Sequence, residues 1–345
     1  MDSQETMTEQ TAVVSDFEQT ENQQGIAEVA AYVPPSSARR KWNYFIHNWE
    51  LYAMLLPGMA SLIIFAYGPM FGLYLAFINY DDLTYSMFDA SKNAFAGWRK
   101  FQYMWAFGLM KYVKNTLILS SLKLFVGFPM PIILAILINE VNNKVFKSVF
   151  QTISYLPNFI SWVVVAGIIK ILLETDSGLF NKVARFFGGE GIAYYSTPGV
   201  WRPILLISSI WKGVGYSSIT YLAILTSIDP QLFEAAMIDG ANRFKQILHI
   251  TIPGLAGIIS INFIMSVGSV FGDDVEQAMT IVGDNAAVRE KTELLGTYIY
   301  RNVMGGAVSE YPVSSAMGLC QSLCSLVLIL TTNYAASKLG AQSVW

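Results

Sequence analysis

The chain has 345 residues and a formal net charge of −3; 53% of its residues are hydrophobic and 14% are charged. Soluble domains carry about a quarter charged residues, so this composition belongs to a membrane protein, and the absence of a basic excess removes nucleic acid from the candidate partners. Cys320 and Cys324 stand one helical turn apart in an apolar run, and the only histidines, His47 and His249, lie in polar flanks. A disulfide framework, a metal-hydrolase centre and a histidine-based catalytic set therefore have almost nothing to build on, and the cysteines read as small packing residues.

Residues 1–38 contain Asp2, Glu5, Glu9, Asp16, Glu18, Glu21 and Glu28 and no Lys or Arg, so residues 1–44 are expected to form a disordered acidic tail. A secretory leader needs a basic start followed directly by an apolar stretch, an order missing here. The first basic cluster is Arg39, Arg40 and Lys41.

Six apolar stretches follow, at 51–79, 115–138, 151–173, 200–226, 254–272 and 311–334. Each is long enough at ~1.5 Å per residue to cross a ~30 Å hydrocarbon core, and backbone groups in lipid must pair internally, so these predict six transmembrane helices in an all-α fold. Pro57, Pro69, Pro129, Pro131 and Pro157 predict kinks. Gly68 with Gly72, and Gly268 with Gly272, have a spacing that permits close helix contact.

Six spans put both termini on one side with the loops at 139–150 and 227–253, leaving 80–114, 174–199 and 273–310 on the other. Lys and Arg number eight on the terminal side and ten opposite, so the positive-inside rule does not set the orientation. Lys170 lies near a span end, where it can snorkel to the headgroups. Lys123 and Lys212 lie deeper and must face protein, a partner chain or a watery path, either as structural pairs or as functional cations.

Between the fourth and fifth spans lies "EAAMIDGANRFKQILHITIPG". Asp229-Pro230 marks a helix start, 231–238 a short helix, Gly240 a sharp turn, and 242–250 a second helix ending at Pro253-Gly254. By composition alone this could be an ordinary solvated loop. The spacing of Glu234, Ala235, Ala236, Gly240, Ile250 and Pro253, with Asp239-Gly240-Ala241, resembles the cytoplasmic signature of permease subunits of binding-protein-dependent ABC importers, in the carbohydrate branch. Ile252 stands where that family has leucine. "NTLILSSLKLFVGFPMPIILAILINE" at 115–140, "SYLPNFISWVVVAGI" at 154–168, "DSGLFN" at 176–181 and "GTYIYR" at 296–301 are similar to the polysaccharide and multiple-sugar subgroup, so the likeness runs over about residues 45–340.

The resemblance implies that Glu234, Ala235, Ala236, Asp239, Gly240, Ala241 and Pro253 form a coupling element that docks on a separate cytoplasmic ATPase. No G-x-x-x-x-G-K-[ST] phosphate loop occurs in the chain, so no cofactor is expected on it, and ATP with Mg would be used by the partner subunit.

Sugars are held by aromatic faces and hydrogen bonds to hydroxyls, and "SSIWKGVGYSSITY" at 208–221 offers both. Tyr216, Gly213 and Ser266 stand at the offsets from the cassette at which maltose-type permeases contact sugar, by resemblance. Trp211, Lys212, Lys123 and Asp273 complete the candidate path; Val270 and Asp273 replace two asparagines of that family, and Lys212 replaces a leucine. Those departures put maltose in doubt and make an acidic sugar a candidate cargo, with Lys212 as its cation or else as a structural lysine.

The implied partners are a second homologous permease, ATPase subunits, an extracytoplasmic solute-binding protein docking near the acidic loop 273–310 around Asp284, an oligosaccharide, and lipid. The implied location is a bacterial cell membrane, multi-pass, with cytoplasmic termini. An ABC permease for peptide or lipid is the nearer alternative. An ion-coupled secondary transporter using Lys123 or Lys212, which should show internal repeats, and an intramembrane enzyme, which needs a nucleophile with its base, fit the sequence less well.

Overall fold

The computed structural model describes residues 44–80, 83, 86–89, 91–106, 108–272 and 275–344. Nearly all of the expected acidic tail, the cluster Arg39–Lys41, and Asp273 thus lie outside the described residues. The chain divides into two units, one ending at Phe71 and one comprising Gly72–Trp345. Among the described residues every regular element is helical.

In the first unit, α1 (Trp49–Leu62) is apolar along its length and buries none of its residues, an arrangement that suits lipid or a partner chain and not water. The second unit contains α2 (Arg99–Ala106), α3 (Leu109–Leu122), α4 (Pro129–Glu140), α5 (Lys144–Tyr155), α6 (Trp162–Leu172), α7 (Leu179–Phe186) and α8 (Trp201–Leu225). It continues with α9 (Pro230–Ile238), α10 (Arg243–Gln246), α11 (Ile252–Gly268), α12 (Val275–Val282), α13 (Ala286–Thr292), α14 (Leu295–Gly305) and α15 (Tyr311–Lys338).

Among the described residues, four runs are long and apolar enough to cross a membrane: Trp49–Phe77, Leu109–Glu140, Arg243–Gly268 and Val308–Lys338. The bent pair Lys144–Phe159 and Trp162–Leu172 makes a fifth if it is one span, with 98° between its halves. Six spans were expected, and the remaining stretch is α8, whose 25 residues suffice in length. Ser208, Ser209, Lys212, Ser217, Ser218 and Thr220 make it more polar than those runs, and of these Ser208 and Ser218 are buried. Eight α8 residues are buried, from Trp201 to Leu225.

The prolines act through a consistent local device. Three turns widen to π geometry, at Ile63–Tyr67, Lys123–Gly127 and Ile247–Thr251. Each is centred four residues before a proline: Phe65 before Pro69, Phe125 before Pro129, His249 before Pro253. A proline ring supplies no N–H to the carbonyl four residues back and collides with it, and a widened turn relieves the collision while bonding one residue further along. Phe128 N–H accordingly donates to Lys123 O at 2.8 Å. Pro157 acts differently, ending α5 in a 3-10 turn over Leu156–Phe159, after which Ser161 caps α6 by accepting from Val164 N–H at 3.4 Å.

Packing follows the apolar faces. Ala135 and Ile138 of α4 meet Tyr221, Leu222 and Leu225 of α8 and Leu255 of α11 in one core. Leu119, Leu173, Trp201 and Leu205 join Ala278, Ile281, Val282, Val288 and Leu294 in a second, which holds α12 and α13 against the bundle. Asn115 Nδ2 donates to the carbonyls of Glu290 and Glu293, both at 3.1 Å, and Asn115 Oδ1 accepts from Arg202 at 2.7 Å. Thr116 accepts from Leu295 N–H at 2.9 Å, so the first residues of "NTLIL" clasp the chain just before "GTYIYR". Of the small-residue pairs, Gly268 marks a close approach: a Cβ there would lie 3.1 Å from Ile329 of α15, whereas Gly272 meets only its own Ser269 carbonyl at 3.9 Å.

Candidate functional site: a polar cavity and a helical cassette

Within the second unit, α3, α4, α6, α8, α11 and α12 line an open cavity of about 880 Å³. Ser209, Gly213, Tyr216, Ser217 and Thr220 line it from α8; Asn262, Met265, Ser266 and Ser269 come from α11 or its end. Ser120 and Lys123 contribute from the third wall, and Glu276 and Gln277 from α12. The polar positions on α8 and α11 repeat at three- and four-residue steps, so each of these helices turns a polar stripe inward, while Leu124, Phe128, Pro131, Trp162, Ile210, Val214 and Val270 supply apolar lining between them.

Of the residues expected in the path, Gly213, Tyr216, Ser266 and Lys123 therefore meet around one space. Lys123 Nζ donates to Gln277 Oε1 at 2.6 Å, and Gln277 Nε2 donates to Leu205 O at 2.7 Å and Ser208 Oγ at 2.9 Å. Gln277 is fully buried and joins three elements at the end of the cavity next to α12. At the other end Asn262 donates to the Tyr221 hydroxyl at 3.2 Å. Tyr216 stands edge-on to Phe159, with centroids 6.3 Å apart.

Lys212 and Trp211 do not line this space. Lys212 Nζ donates to Asn158 O at 2.7 Å and sits 5.3 Å from the centroid of Trp162, a ring that does line the cavity. The lysine thus supplies a donor to a carbonyl freed by the break after α5. Lys170 is exposed in the last turn of α6, where a cation suits the helix dipole.

The sequence reading passed over Ser120, Thr220, Asn262, Ser269 and Gln277. For the first four the signal was available, as polar residues at helical spacing inside apolar runs. Gln277 had none, because its partners lie 69 to 154 residues away.

The cassette follows directly from α8. Asp229 caps α9 by accepting from Gln231 N–H at 2.9 Å, with Pro230 in the first turn. Gly240, at φ +76°, ends the helix: its N–H donates to Met237 O at 3.1 Å and Ala241 N–H to Ala236 O at 2.8 Å, the paired bonds of a Schellman stop. Asn242 caps α10 through Lys245 N–H at 2.9 Å. α9 buries no residue, and Leu232, Met237 and Ile238 are exposed beside Glu234 and Asp239. Arg243 pairs with Glu140 at 3.4 Å, tying the cassette to the end of α4. In the 273–310 segment, Asp284 is exposed and pairs with Arg301, which also lies 3.4 Å from Glu293.

A bundle of lipid-compatible helices around a cavity lined by hydroxyl and amide groups, with an exposed helix-turn-helix carried on the cavity's own wall, defines a membrane transport component. The chain belongs to the binding-protein-dependent transport system inner membrane component family, which residues 127–339 match. It is 36% identical over 303 residues to the polygalacturonan/rhamnogalacturonan transport system permease protein YteP of Bacillus subtilis, covering 87% of this chain and 91% of that protein. Its fold matches a chain of a bacterial ABC transporter involved in the import of the acidic polysaccharide alginate, with a TM-score of 0.77 and 35% identity over 87% of this chain and 99% of that one. A second structure of the bacterial alginate ABC transporter, in complex with an alginate pentasaccharide-bound periplasmic protein, matches with TM-score 0.77 and 35% identity, covering 88% of this chain and all of that one.

Proposed function

We propose that this chain is the permease subunit of an ATP-driven importer and forms part of the path for an oligosaccharide delivered by a solute-binding protein. The observation that carries this reading is that α8 supplies Gly213, Tyr216, Ser217 and Thr220 to the cavity and then runs within five residues into the cassette. A displacement of the cassette moves the wall that touches cargo. Hydroxyl, amide and aromatic groups in the cavity suit a polyol, whose many hydroxyls need many partners. A uronate-containing oligosaccharide is the first cargo to test, because the cargoes named for YteP and for the alginate importer are acidic polysaccharides.

In this reading α8 is a sixth span, both termini are cytoplasmic, and α9 is the coupling helix. Glu234, Ala235, Ala236, Asp239, Gly240, Ala241 and Pro253 shape its contact with a separate ATPase that uses ATP and Mg. Leu232, Met237 and Ile238 offer the apolar part of that contact. A second, homologous permease completes the path opposite Tyr216. Nucleotide-driven approach of the two cassettes opens the cavity outward, and hydrolysis returns it inward.

The test is ATPase activity that co-purifies with the tagged chain from its native membranes, together with uptake of labelled uronate oligosaccharides. Activity and ATPase subunit present with wild type and absent with Glu234→Arg support the reading. A wild-type chain that brings down no ATPase under gentle extraction overturns it.

A further inference from the structure

The stretch "DSGLFN" at 176–181 lies outside both the cavity and the cassette, yet it is held in an unusually determined shape. Asn181 is fully buried, and its Nδ2 donates to the carbonyls of Thr175 at 3.0 Å, Ile192 at 2.9 Å and Glu174 at 3.4 Å, while its Oδ1 accepts from Ile192 N–H at 2.9 Å. Arg185 donates to Thr175 O at 3.0 Å and Asp176 O at 3.2 Å. Gly178 is required because a Cβ there would lie 2.2 Å from Glu174 O. Gly188, at φ +79°, stops α7, with Gly189 N–H donating to Ala184 O at 2.8 Å.

These bonds fix the rotation of α7. At about 100° per residue, Asn181 and Arg185 share the side that closes on the loop's own backbone. Leu179, Phe180, Val183, Phe186 and Phe187 fall on the opposite side, where they are 46–85% exposed; Phe186 and Phe187 exceed 80%. Lys182 borders that face. A water-facing helix fixed this rigidly would carry the reverse pattern. α7 starts seven residues after α6 ends, so it stays within reach of the headgroup level at which that apolar half-span stops.

We infer that α7 is an interfacial anchor: its Phe180, Val183, Phe186 and Phe187 face lies in the boundary between lipid headgroups and acyl chains, with Lys182 toward the phosphates. The occupant is phospholipid and not a protein partner, since the face follows α6, whose Val163, Val164, Ile168 and Ile171 are likewise apolar and exposed, and combines aromatic anchors with a flanking cation. The anchor holds the outer end of α6, and with it Trp162 at the cavity wall, at a fixed depth.

The experiment uses the full chain, assembled with whatever subunits co-purify, in bilayers of phosphatidylglycerol and phosphatidylethanolamine. In a Cys320→Ala, Cys324→Ala background, spin labels at Phe186→Cys, Val183→Cys and Glu190→Cys are scored for collision with oxygen and with a water-soluble nickel chelate. The anchor requires the labels at 183 and 186 to meet oxygen at least threefold more than nickel, and the label at 190 to show the reverse. Labels at 183 and 186 that meet nickel as freely as the one at 190, or that are immobile and meet neither reagent, overturn it in favour of a solvated or protein-covered face. Because the readout is independent of uptake, it separates this inference from the transport reading.

Discussion

The cavity and the cassette are both built on α8 and its continuation, but they hold their shape by different means. The cavity is fixed by side chains reaching between elements: Gln277 bridges α12 to α8 and Lys123, and Gly215 lets the backbone of α8 press against that of α5, where a Cβ would come within 1.9 Å of Ser154 O. The cassette takes its shape from short-range bonds, the Asp229 cap, the Gly240 stop and the Asn242 cap, each reaching no further than five residues, with the exposed Arg243–Glu140 pair as a longer tie to α4. Long-range side-chain bonds make a wall that resists local change. Short-range caps make a unit that can travel as one piece while its exposed side chains serve a partner.

The largest effect should come where this contrast is sharpest, within one helix. Gly215→Ala places a methyl group against a carbonyl that cannot retreat without moving α5, whereas Gly213→Ala has nothing within 4 Å and projects toward the cavity. Gly215→Ala is expected to reduce accumulation of folded protein severely, through overpacking of about 1–3 kcal/mol or more, and Gly213→Ala to leave it at wild-type level. Fluorescence size-exclusion profiles of the two variants check this; equal profiles would mean that α5 and α8 are not in backbone contact.

Next comes Gln277→Leu, which removes one acceptor for Lys123 and the donor to Leu205 O and Ser208 Oγ. Ser208 Oγ keeps its bond to Leu205 O at 3.1 Å, so the loss is that of the Gln277 bonds themselves, about 1 kcal/mol each, and the melting temperature of the purified chain should fall by a few degrees. Gln277→Glu keeps the acceptor and should recover part of the loss. Gly240→Val tests the cassette: holding a β-branched residue at φ +76° costs about 1–2 kcal/mol, spent on a solvent-exposed turn. The expected outcome is a nearly unchanged melting temperature with loss of co-purified ATPase. A cassette that unfolds the whole unit when its turn is strained would show that it is not separable from the bundle.

The same contrast explains what the sequence could disclose. Pro230, Gly240 and Asn242 act on neighbours a few residues away, so their spacing alone announces a short helix, a turn and the start of a second helix; Pro253, expected to end that second helix, instead lies inside the continuous run Arg243–Gly268, where the widened turn Ile247–Thr251 accommodates its missing N–H. The apolar runs likewise announce helices, although α8 escapes the hydropathy measure because its inward face is polar. Side-chain direction inside the bundle is another matter. Tyr216 and Ser266 could be placed only through resemblance, and Gln277 not at all, since burial at that position depends on Leu205 and Ser208 some 70 residues earlier. Lys212 stands beside Gly213 in sequence but about 100° around the helix from it, and that rotation takes it to the other side of Trp162.

Lys212 therefore gives the smallest and most discriminating effect. If its ammonium met cargo, removing the charge would weaken uptake of an acidic oligosaccharide at least tenfold and spare a neutral one. In the structure the ammonium satisfies the Asn158 carbonyl and lies over the indole of Trp162 instead. Lys212→Met leaves that carbonyl one donor short, a loss of about 1 kcal/mol, and removes a charge that is itself costly at membrane depth, so the two changes oppose each other. Uptake KM for acidic and neutral oligosaccharides should each change by less than about threefold, with kcat falling modestly as Trp162 loosens. Lys212→Arg keeps a charge and donors but must fit a larger planar group beside the indole, so it should disturb kcat at least as much as Lys212→Met does. A KM change confined to acidic cargo would return Lys212 to the path and require its ammonium to leave Asn158 O and reach the cavity during the transport cycle.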